Sequence, residues 1–363
     1  MKSCKVSVIV PTYKEAKNIP VLTEKIDEAM KAHKLTYEII IVDDNSQDGI
    51  DAEVKELQKK YPVNLKIRTN ERGLSSAVIA GFTLSKGDIF VVMDADLSHP
   101  PEKIPEMVVP IIEGQAEFVI GSRFVEGGSA SHFNWYRKLN AWISKTLARP
   151  LTNVKDPMAG FFAFPKRILR DLKTLNPLGF KIGLEILVKS SPKKTMEIPI
   201  RFKERLHGES KLSTKEQLLF ILHLARLFDF KYKGLSEFIR FSLIGGSGMI
   251  VDLCFVFIAY NFLSLPFRVA RVIGFLSALT SNFYLNRKYT FPHAERSSMR
   301  RQYASFFAVC IVGFSVNWVI SVYLYEHMTF FHRYYLIAAF FGILGGFLIN
   351  FCGSKLFVFT KKK

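Results

Sequence analysis

Cysteine is scarce. The four cysteines, Cys4, Cys254, Cys310 and Cys352, lie far apart, the last three inside apolar stretches, so neither a disulfide framework nor a cysteine-rich zinc site is indicated. Acidic residues are few beside basic ones, 32 against 50, for a formal net charge of +18. Such a balance calls for an anionic partner. Nucleic acid is one candidate, but no nucleic-acid-binding motif accompanies the charge; a membrane surface with anionic headgroups is the other and the one favoured here. The start also lacks the core of a signal peptide, because only the short stretch Val6 to Val10 precedes Pro11, and the first domain is therefore expected to stay in the cytoplasm. Long apolar runs are absent until about residue 238 and crowd the chain after it.

That division sets the architecture. A chain of 363 residues is long enough for two units, each with its own core, and the mean hydropathy of +0.15 is high for a soluble protein. In the first half, KVSVIV at 5–10 and EIIIV at 38–42 are β-branched runs separated by an amphipathic stretch from Asn18 to Ala32, which reads as strand, helix, strand. The pattern continues with a strand at Leu65–Arg68, a helix at Leu74–Ser85 behind Gly73, and strands at Ile89–Met93 and Phe118–Gly121. Alternation of this kind predicts an α/β fold with a mainly parallel sheet, ligands binding beyond the carboxyl ends of its strands.

The second half offers four apolar segments, near 239–263, 267–291, 303–325 and 334–359, each long enough to cross a hydrocarbon core of roughly 30 Å. They repeat. A shift of 68 positions sets Gly245 on Gly313, Ala270 on Ala338, Gly274 on Gly342, Asn282-Phe283 on Asn350-Phe351, Arg287 on Lys355 and Phe291 on Phe359, so the tail reads as two helical hairpins. Of its basic residues only Arg268, Arg271 and Arg333 fall on the side away from the first domain; by the positive-inside rule both termini are expected in the cytoplasm. Between the halves, Thr214 to Lys233 has Leu and Phe at helical spacing with basic margins and reads as one or two interface helices, or as a linker helix packed on the first domain. The expected division is 1–212, 213–235 and 236–363.

Three acidic or aromatic clusters end strands on one edge of the sheet. Asp94-Ala95-Asp96 follows the apolar IFVVM; two carboxylates at i and i+2 there point to one region, where they can hold a divalent cation against a diphosphate. Asp43-Asp44-Asn45-Ser46 ends EIIIV, and Pro11-Thr12-Tyr13-Lys14-Glu15 ends the first strand. Any one of them fits a cap or a turn, but together they describe a nucleotide cleft.

The runs PTYKE, VDDNSQDG, GLSSAVIAGF, MDADLSHPP, GSRF, YRKL, DPMAGFFAF, GFKIGLEIL and RLHGESKL, in order over residues 5–212, resemble the dolichyl-phosphate mannose synthases, inverting family 2 glycosyltransferases. The tail, with NFYLNRKYTF and NFCGSKLFVF, resembles the four-span GtrA-type domain of archaeal and bacterial relatives. The resemblance implies a GT-A type nucleotide-diphospho-sugar transferase domain followed by interface helices and a four-helix transmembrane domain in a prokaryotic cell membrane. It implies nucleotide contacts at Pro11, Tyr13, Glu15, Val42 and Asp44, with Asp94 and Ala95 near the ribose and diphosphate, and a Mg2+ or Mn2+ ion on Asp96, with Asp94 and Ser98 as further ligands. Lys181, Arg205 and Lys211 would contact the donor, and Arg123, Arg137 and Arg205 the acceptor phosphate; Asp94, Asp96, Arg123 and Arg205 would be catalytic. This chain departs from some archaeal relatives at Ser98, His207 and Ala141.

The activity so implied is transfer of mannose from GDP-mannose to dolichyl or another polyisoprenyl phosphate. A phosphate acceptor needs no general base, because its oxygen is already anionic near neutral pH, but two phosphate groups must be held together by positive charge. Two alternatives stay open: a UDP-sugar donor such as UDP-glucose with undecaprenyl phosphate, and, in another class, a glycolipid flippase. Asp252, Asn282, Asn317 and Asn350 are polar groups at membrane depth, which mark a pathway or join helices. No feature of the sequence sets an oligomeric state.

Overall fold

The computed structural model describes residues 4–129, 135–169, 175–176, 178–179, 181–202, 214–296 and 298–360. The chain divides into two compact units, Met1–Lys231 and Tyr232–Lys363.

In the first unit the β-branched runs form strands and the amphipathic stretches form helices: β1 (Lys5–Thr12), α1 (Ile19–Ala32), β2 (Thr36–Asp43), α2 (Ile50–Leu57), β3 (Val63–Ile67), α3 (Leu74–Leu84), β4 (Ile89–Val92), α4 (Ile104–Ile112) and β5 (Phe118–Ser122). Further along come α5 (Trp135–Ala148), β6 (Phe162–Pro165), α6 (Ile182–Ser190), β7 (Thr195–Pro199) and α7 (Thr214–Lys231). The sheet has the order β3-β2-β1-β4-β6-β5-β7 among the described residues. All pairs are parallel except those of β6, which runs against both β4 and β5. The expected mainly parallel sheet is present, with one reversed strand, FAFP at Phe162–Pro165, whose side chains show no polar and apolar alternation to betray it.

Strands buried on both faces need two apolar layers. Val8, Ile41 and Val91 face α1 and α4 through Ile19, Leu22, Ile26, Met107 and Val108. Ile9, Ile40, Val42 and Val92 face the opposite layer, with Ala77, Val78 and Phe82 of α3 and Phe162 and Phe164 of β6. Gly81 lets α3 lie close on β1, since a Cβ there would overlap Ile9. The strand order runs outward from β1 through β2 to β3 on one side and through β4 on the other. A crevice therefore opens at the carboxyl ends of β1 and β4, where ligands bind in sheets of this kind.

The second unit holds α8 (Lys233–Asn261), α9 (Phe267–Leu285), α10 (Met299–His327), α11 (Thr329–Arg333) and α12 (Tyr335–Gly353). By length and composition Lys233–Asn261, Met299–His327 and Phe340–Val358 can cross a membrane. Although α9 is 19 residues long, it is not among these three; Arg268 and Arg271 at its start and Thr280-Ser281-Asn282 near its end lower its hydropathy.

The repeat is visible in detail. A π-helical turn follows the second helix of each hairpin, Asn286–Thr290 and Ser354–Val358, and the rings that follow them, Phe291 and Phe359, stack at 5.0 Å. The first helices, however, correspond at a shift of 65 rather than 68. A Cβ on Gly248 would overlap Asn282 as one on Gly313 would overlap Asn350, whereas Gly245 has open space around it. The connection within the second hairpin, which contains α11, takes up the difference. With that shift, Glu237 bound to Lys355 at 2.7 Å corresponds to Gln302 accepting from Arg287 Nε at 2.8 Å. Each first helix reaches the other hairpin's second helix, Phe241 near Phe351 at 5.5 Å and Phe306 near Phe283 at 5.7 Å.

The two glycine contacts give a paired test. Gly248→Leu and Gly313→Leu should each lower the apparent melting temperature in detergent by at least about 5 °C, through overpacking costing roughly 1–3 kcal/mol or more. Gly245→Leu should leave it nearly unchanged, as read by thermal unfolding with size-exclusion chromatography.

Candidate functional site at the strand ends

Two aspartates at the end of β2 do different work. Asp43 is buried and shapes the turn: it accepts Thr12 Oγ1 at 3.1 Å and the Ser46 amide at 2.8 Å, with the Ser46 hydroxyl as a further donor. Ser46 Oγ in turn accepts the Lys14 amide at 2.9 Å, tying the loop after β1 to the loop after β2. Asp44 forms a buried ion pair with Arg68 and accepts the Gly73 amide at 2.7 Å. Arg68 also donates to Ser76 Oγ and the Gly73 carbonyl. A buried carboxylate without such a partner would be strongly destabilising. Asp44, expected to bind the nucleotide, thus also anchors the Gly73 turn that opens α3.

The loop after β1 presents the exposed ring of Tyr13, flanked by the Arg72 guanidinium at 5.5 Å and the Lys14 ammonium at 5.6 Å from its centroid. Glu15 is partly exposed and accepts from Asn18 Nδ2 at 2.6 Å. Pro11, Val42 and Ala95 are buried.

At the end of β4 the chain bends sharply. Leu97 adopts φ 61°, a left-handed conformation that costs a leucine energy and is held only by its surroundings. The bend lets the Ser98 amide and hydroxyl donate to Asp96 Oδ1 at 3.1 and 2.6 Å. Ser98 is fully buried and its hydroxyl is committed to that carboxylate. Asp94 is partly exposed; its amide donates to His99 Nδ1 at 3.2 Å, and the His99 ring stacks on Phe161 at 5.3 Å. Burial pushes the pKa of His99 down, against the pull of Asp94 and Asp96. Gly160 closes this corner, where a Cβ would sit 3.3 Å from Asp94 Oδ2.

Among the described residues no cluster of three or more His, Cys, Asp or Glu forms a metal cage. Two hard carboxylates are present instead, which is the donor set magnesium uses when substrate phosphates supply the rest.

Arg123, just past β5, is gripped by Asp156: Nε and Nη2 donate at 2.8 and 2.9 Å and the Arg123 amide at 3.0 Å. Burial opposes the charge on Asp156, but these hydrogen bonds and the guanidinium outweigh it and hold the carboxyl below its ordinary range. Behind it, Glu197 of β7 accepts the Lys155 amide at 2.7 Å and the Asp156 amide at 3.0 Å. A relay from Glu197 through Asp156 fixes the fork of Arg123.

Lys181, at the start of α6, donates to the Met158 carbonyl at 3.2 Å. Burial and then the nearby Arg123 push its pKa down to about 7, against the pull of Asp156, Asp94 and Glu216. The structure thus brings Asp94, Asp96, Arg123 and Lys181 into one neighbourhood. The side chain of Arg137, which lies on α5, and the whole of Arg205, His207 and Lys211 lie outside the described residues. Sequence reasoning missed Arg68, His99, Asp156, Gly160 and Glu197; Asp156 and Gly160 stood in DPMAGFFAF and drew no separate notice.

Family models match "Glycosyl transferase family 2" over residues 7–173 and "GtrA/DPMS, transmembrane domain" over residues 240–359. The chain is 40% identical to a dolichol-phosphate mannosyltransferase of Pyrococcus furiosus over 352 residues, 96% of this chain and 97% of the relative. It is 41% identical to the Saccharomyces cerevisiae enzyme of the same name over 249 residues, 66% of this chain and 92% of that one. Among solved structures, mannosyl-3-phosphoglycerate synthase from Rubrobacter xylanophilus aligns with TM-score 0.48 and 16% identity, over 63% of this chain and 75% of that one. Glucosyl-3-phosphoglycerate synthase from Mycobacterium tuberculosis, in complex with Mn2+, UDP and glucosyl-3-phosphoglycerate, aligns with TM-score 0.45 and 18% identity, over 62% and 79%. These structural likenesses are too distant to transfer a ligand.

Because the Lys181 pKa is lowered on folding, the unfolded chain binds more protons between about pH 7 and the ordinary lysine value, so this group's contribution to stability rises with pH across that window and is least favourable below it. Lys181→Met should therefore be more stable than the wild type near pH 6, with the advantage shrinking towards pH 9 on the order of the titration span. Thermal unfolding of both proteins across that range measures it.

Proposed function

This chain belongs to the dolichol-phosphate mannosyltransferases, within the family 2 glycosyltransferases, and we propose that it transfers mannose from GDP-mannose to dolichyl or another polyisoprenyl phosphate, releasing GDP. It is a membrane protein through its GtrA/DPMS domain. The observation that carries the reading is 40% identity along 97% of a relative so named, glycosyltransferase and membrane parts together.

In this reading the exposed Tyr13 ring, Glu15 and Asp44, with the backbone at Pro11, Val42 and Ala95, receive the nucleoside. Asp94 and Asp96 hold a divalent cation, Mg2+ or Mn2+, which when bound neutralises diphosphate charge; Ser98, the third expected ligand, orients Asp96. Lys181 takes the donor diphosphate, where a nearby anion restores the ammonium's charge, and the same role is assigned to Arg205 and Lys211 on the resemblance alone. Arg123, with Arg137 and Arg205, takes the acceptor phosphate, a planar fork suiting paired phosphate oxygens.

The reaction is one in-line displacement. An oxygen of the lipid phosphate forms a bond to the anomeric carbon as the bond from that carbon to the GDP oxygen breaks, the electron pair leaving with GDP. An α-linked donor gives a β-linked product. With the 19-residue α9 taken as a fourth span beside the three more apolar helices, the excess of positive charge on one side of the membrane helices supports a cytoplasmic catalytic unit with both termini on that side; the membrane proposed is a prokaryotic cell membrane.

Purified full-length protein should move radiolabelled mannose from GDP-mannose to polyprenyl phosphate, lose that activity with a chelator, and regain it with Mg2+ or Mn2+. Asp96→Ala should lower the rate by about 10³-fold or more. Labelling from UDP-glucose in place of GDP-mannose overturns the donor assignment.

Loosening the relay behind Arg123 should act at a distance. Glu197→Gln is expected to cut kcat/KM by roughly 10-fold and Asp156→Asn by about 10²-fold, with nucleotide affinity little changed, as separated by steady-state kinetics and GDP titration.

A further inference from the structure

We infer that helix α5 lies on the bilayer surface and inserts one face among the lipid headgroups and upper acyl chains. This rests on membrane attachment alone and not on the reaction proposed above.

Five large apolar side chains, Trp135, Leu139, Trp142, Ile143 and Leu147, are exposed on α5. Their spacing of four, seven, eight and twelve residues from Trp135 places them on one stripe of a helix. Exposure reaches 76% at Trp135 and 63% at Trp142, the two residues whose loss of water contact would gain most. Thr146, the hydroxyl within the stripe, donates to the Trp142 carbonyl and needs no water for its proton. A water-facing role would leave this stripe as a continuous apolar patch of the kind that marks an interaction site.

The chemistry around the stripe selects the occupant. Lys138, Lys145 and Arg149 follow its border at spacings of seven and four, and the helix contains no Asp or Glu. Basic residues beside tryptophan and leucine are the composition of a helix lying in an anionic membrane interface, and indole rings favour headgroup depth. The same chain carries the GtrA/DPMS transmembrane domain, so a bilayer is always at hand.

The chain has three tryptophans, Trp135, Trp142 and Trp318. In the full-length W135F/W318F protein, Trp142 is the one remaining indole, and circular dichroism checks that these conservative changes leave the fold intact. Reconstituted into vesicles of phosphatidylglycerol and phosphatidylcholine, it should lose emission when the lipids carry bromine on their acyl chains, more with bromine near the headgroup than near the chain end. Equal emission in brominated and unbrominated vesicles overturns the inference, as does unquenched emission with cysteine cross-links formed at position 142 between two copies, which would make the face a contact between protein chains. A companion protein with Trp142→Glu and Ile143→Glu, its Trp135 kept as reporter and Trp318 replaced by Phe, should show weaker quenching of Trp135; unchanged quenching there overturns the claim that the stripe inserts as a unit.

Discussion

A carboxylate taken out of water must be met by a cation or by hydrogen-bond donors, and the carboxyl edge of the sheet is organised around that demand. Asp44 is met by Arg68, Asp156 by Arg123, Asp43 by the Thr12 hydroxyl and the Ser46 amide, and Asp96 by the Ser98 amide and hydroxyl. Each pairing also fixes backbone: Asp44 holds the Gly73 turn, and Asp156 holds the Arg123 amide. The loops that surround the crevice are therefore set by electrostatics together with apolar packing, which continues past the strands through Ala16, Met93, Ala95 and Leu97. The same constraint explains why the cations are not interchangeable surface charges. Arg123 comes to the cleft already oriented, and Lys181 comes with its proton loosely held.

The strands and helices that carry the crevice were readable because their apolar periodicity is strong. β1, β2 and β4 are apolar runs rich in β-branched residues, and the polar clusters at their ends mark where the apolar run stops. β6 was not readable, since a strand of alternating large and small apolar residues buried on both sides has no polar face to give it a period, and its reversed direction depends on neighbours far away in sequence. Within the site, Asp94, Asp96 and Arg123 stood out by position. The residues that hold them did not: Glu197 acts on Asp156 through backbone amides, and Arg68 reaches Asp44 across a strand, contacts that no local pattern in the sequence encodes.

In the membrane unit the sequence repeat was legible while its register was only half so. Identities such as Asn282-Phe283 with Asn350-Phe351 align the second helices, and the π-helical turns obey the same spacing. The first helices slide by almost one turn, because the partner of Asn282 is Gly248 and not Gly245. Geometry at a helix crossing, where a glycine admits an asparagine amide, sets that register more strongly than the matching of letters.

The exchange between hairpins also bears on how the chain is made. Glu237 stands at the beginning of the first membrane helix, and an ammonium that meets it, on Lys355, belongs to the last helical turn of the second hairpin; Phe291 likewise stacks on Phe359. During synthesis the first hairpin would enter the bilayer with Glu237 near its own Lys233, at 4.0 Å, but without the closer Lys355, and with Phe291 not yet stacked on Phe359. Packing of the first hairpin is thus completed only when the second hairpin's last helical turn is in place.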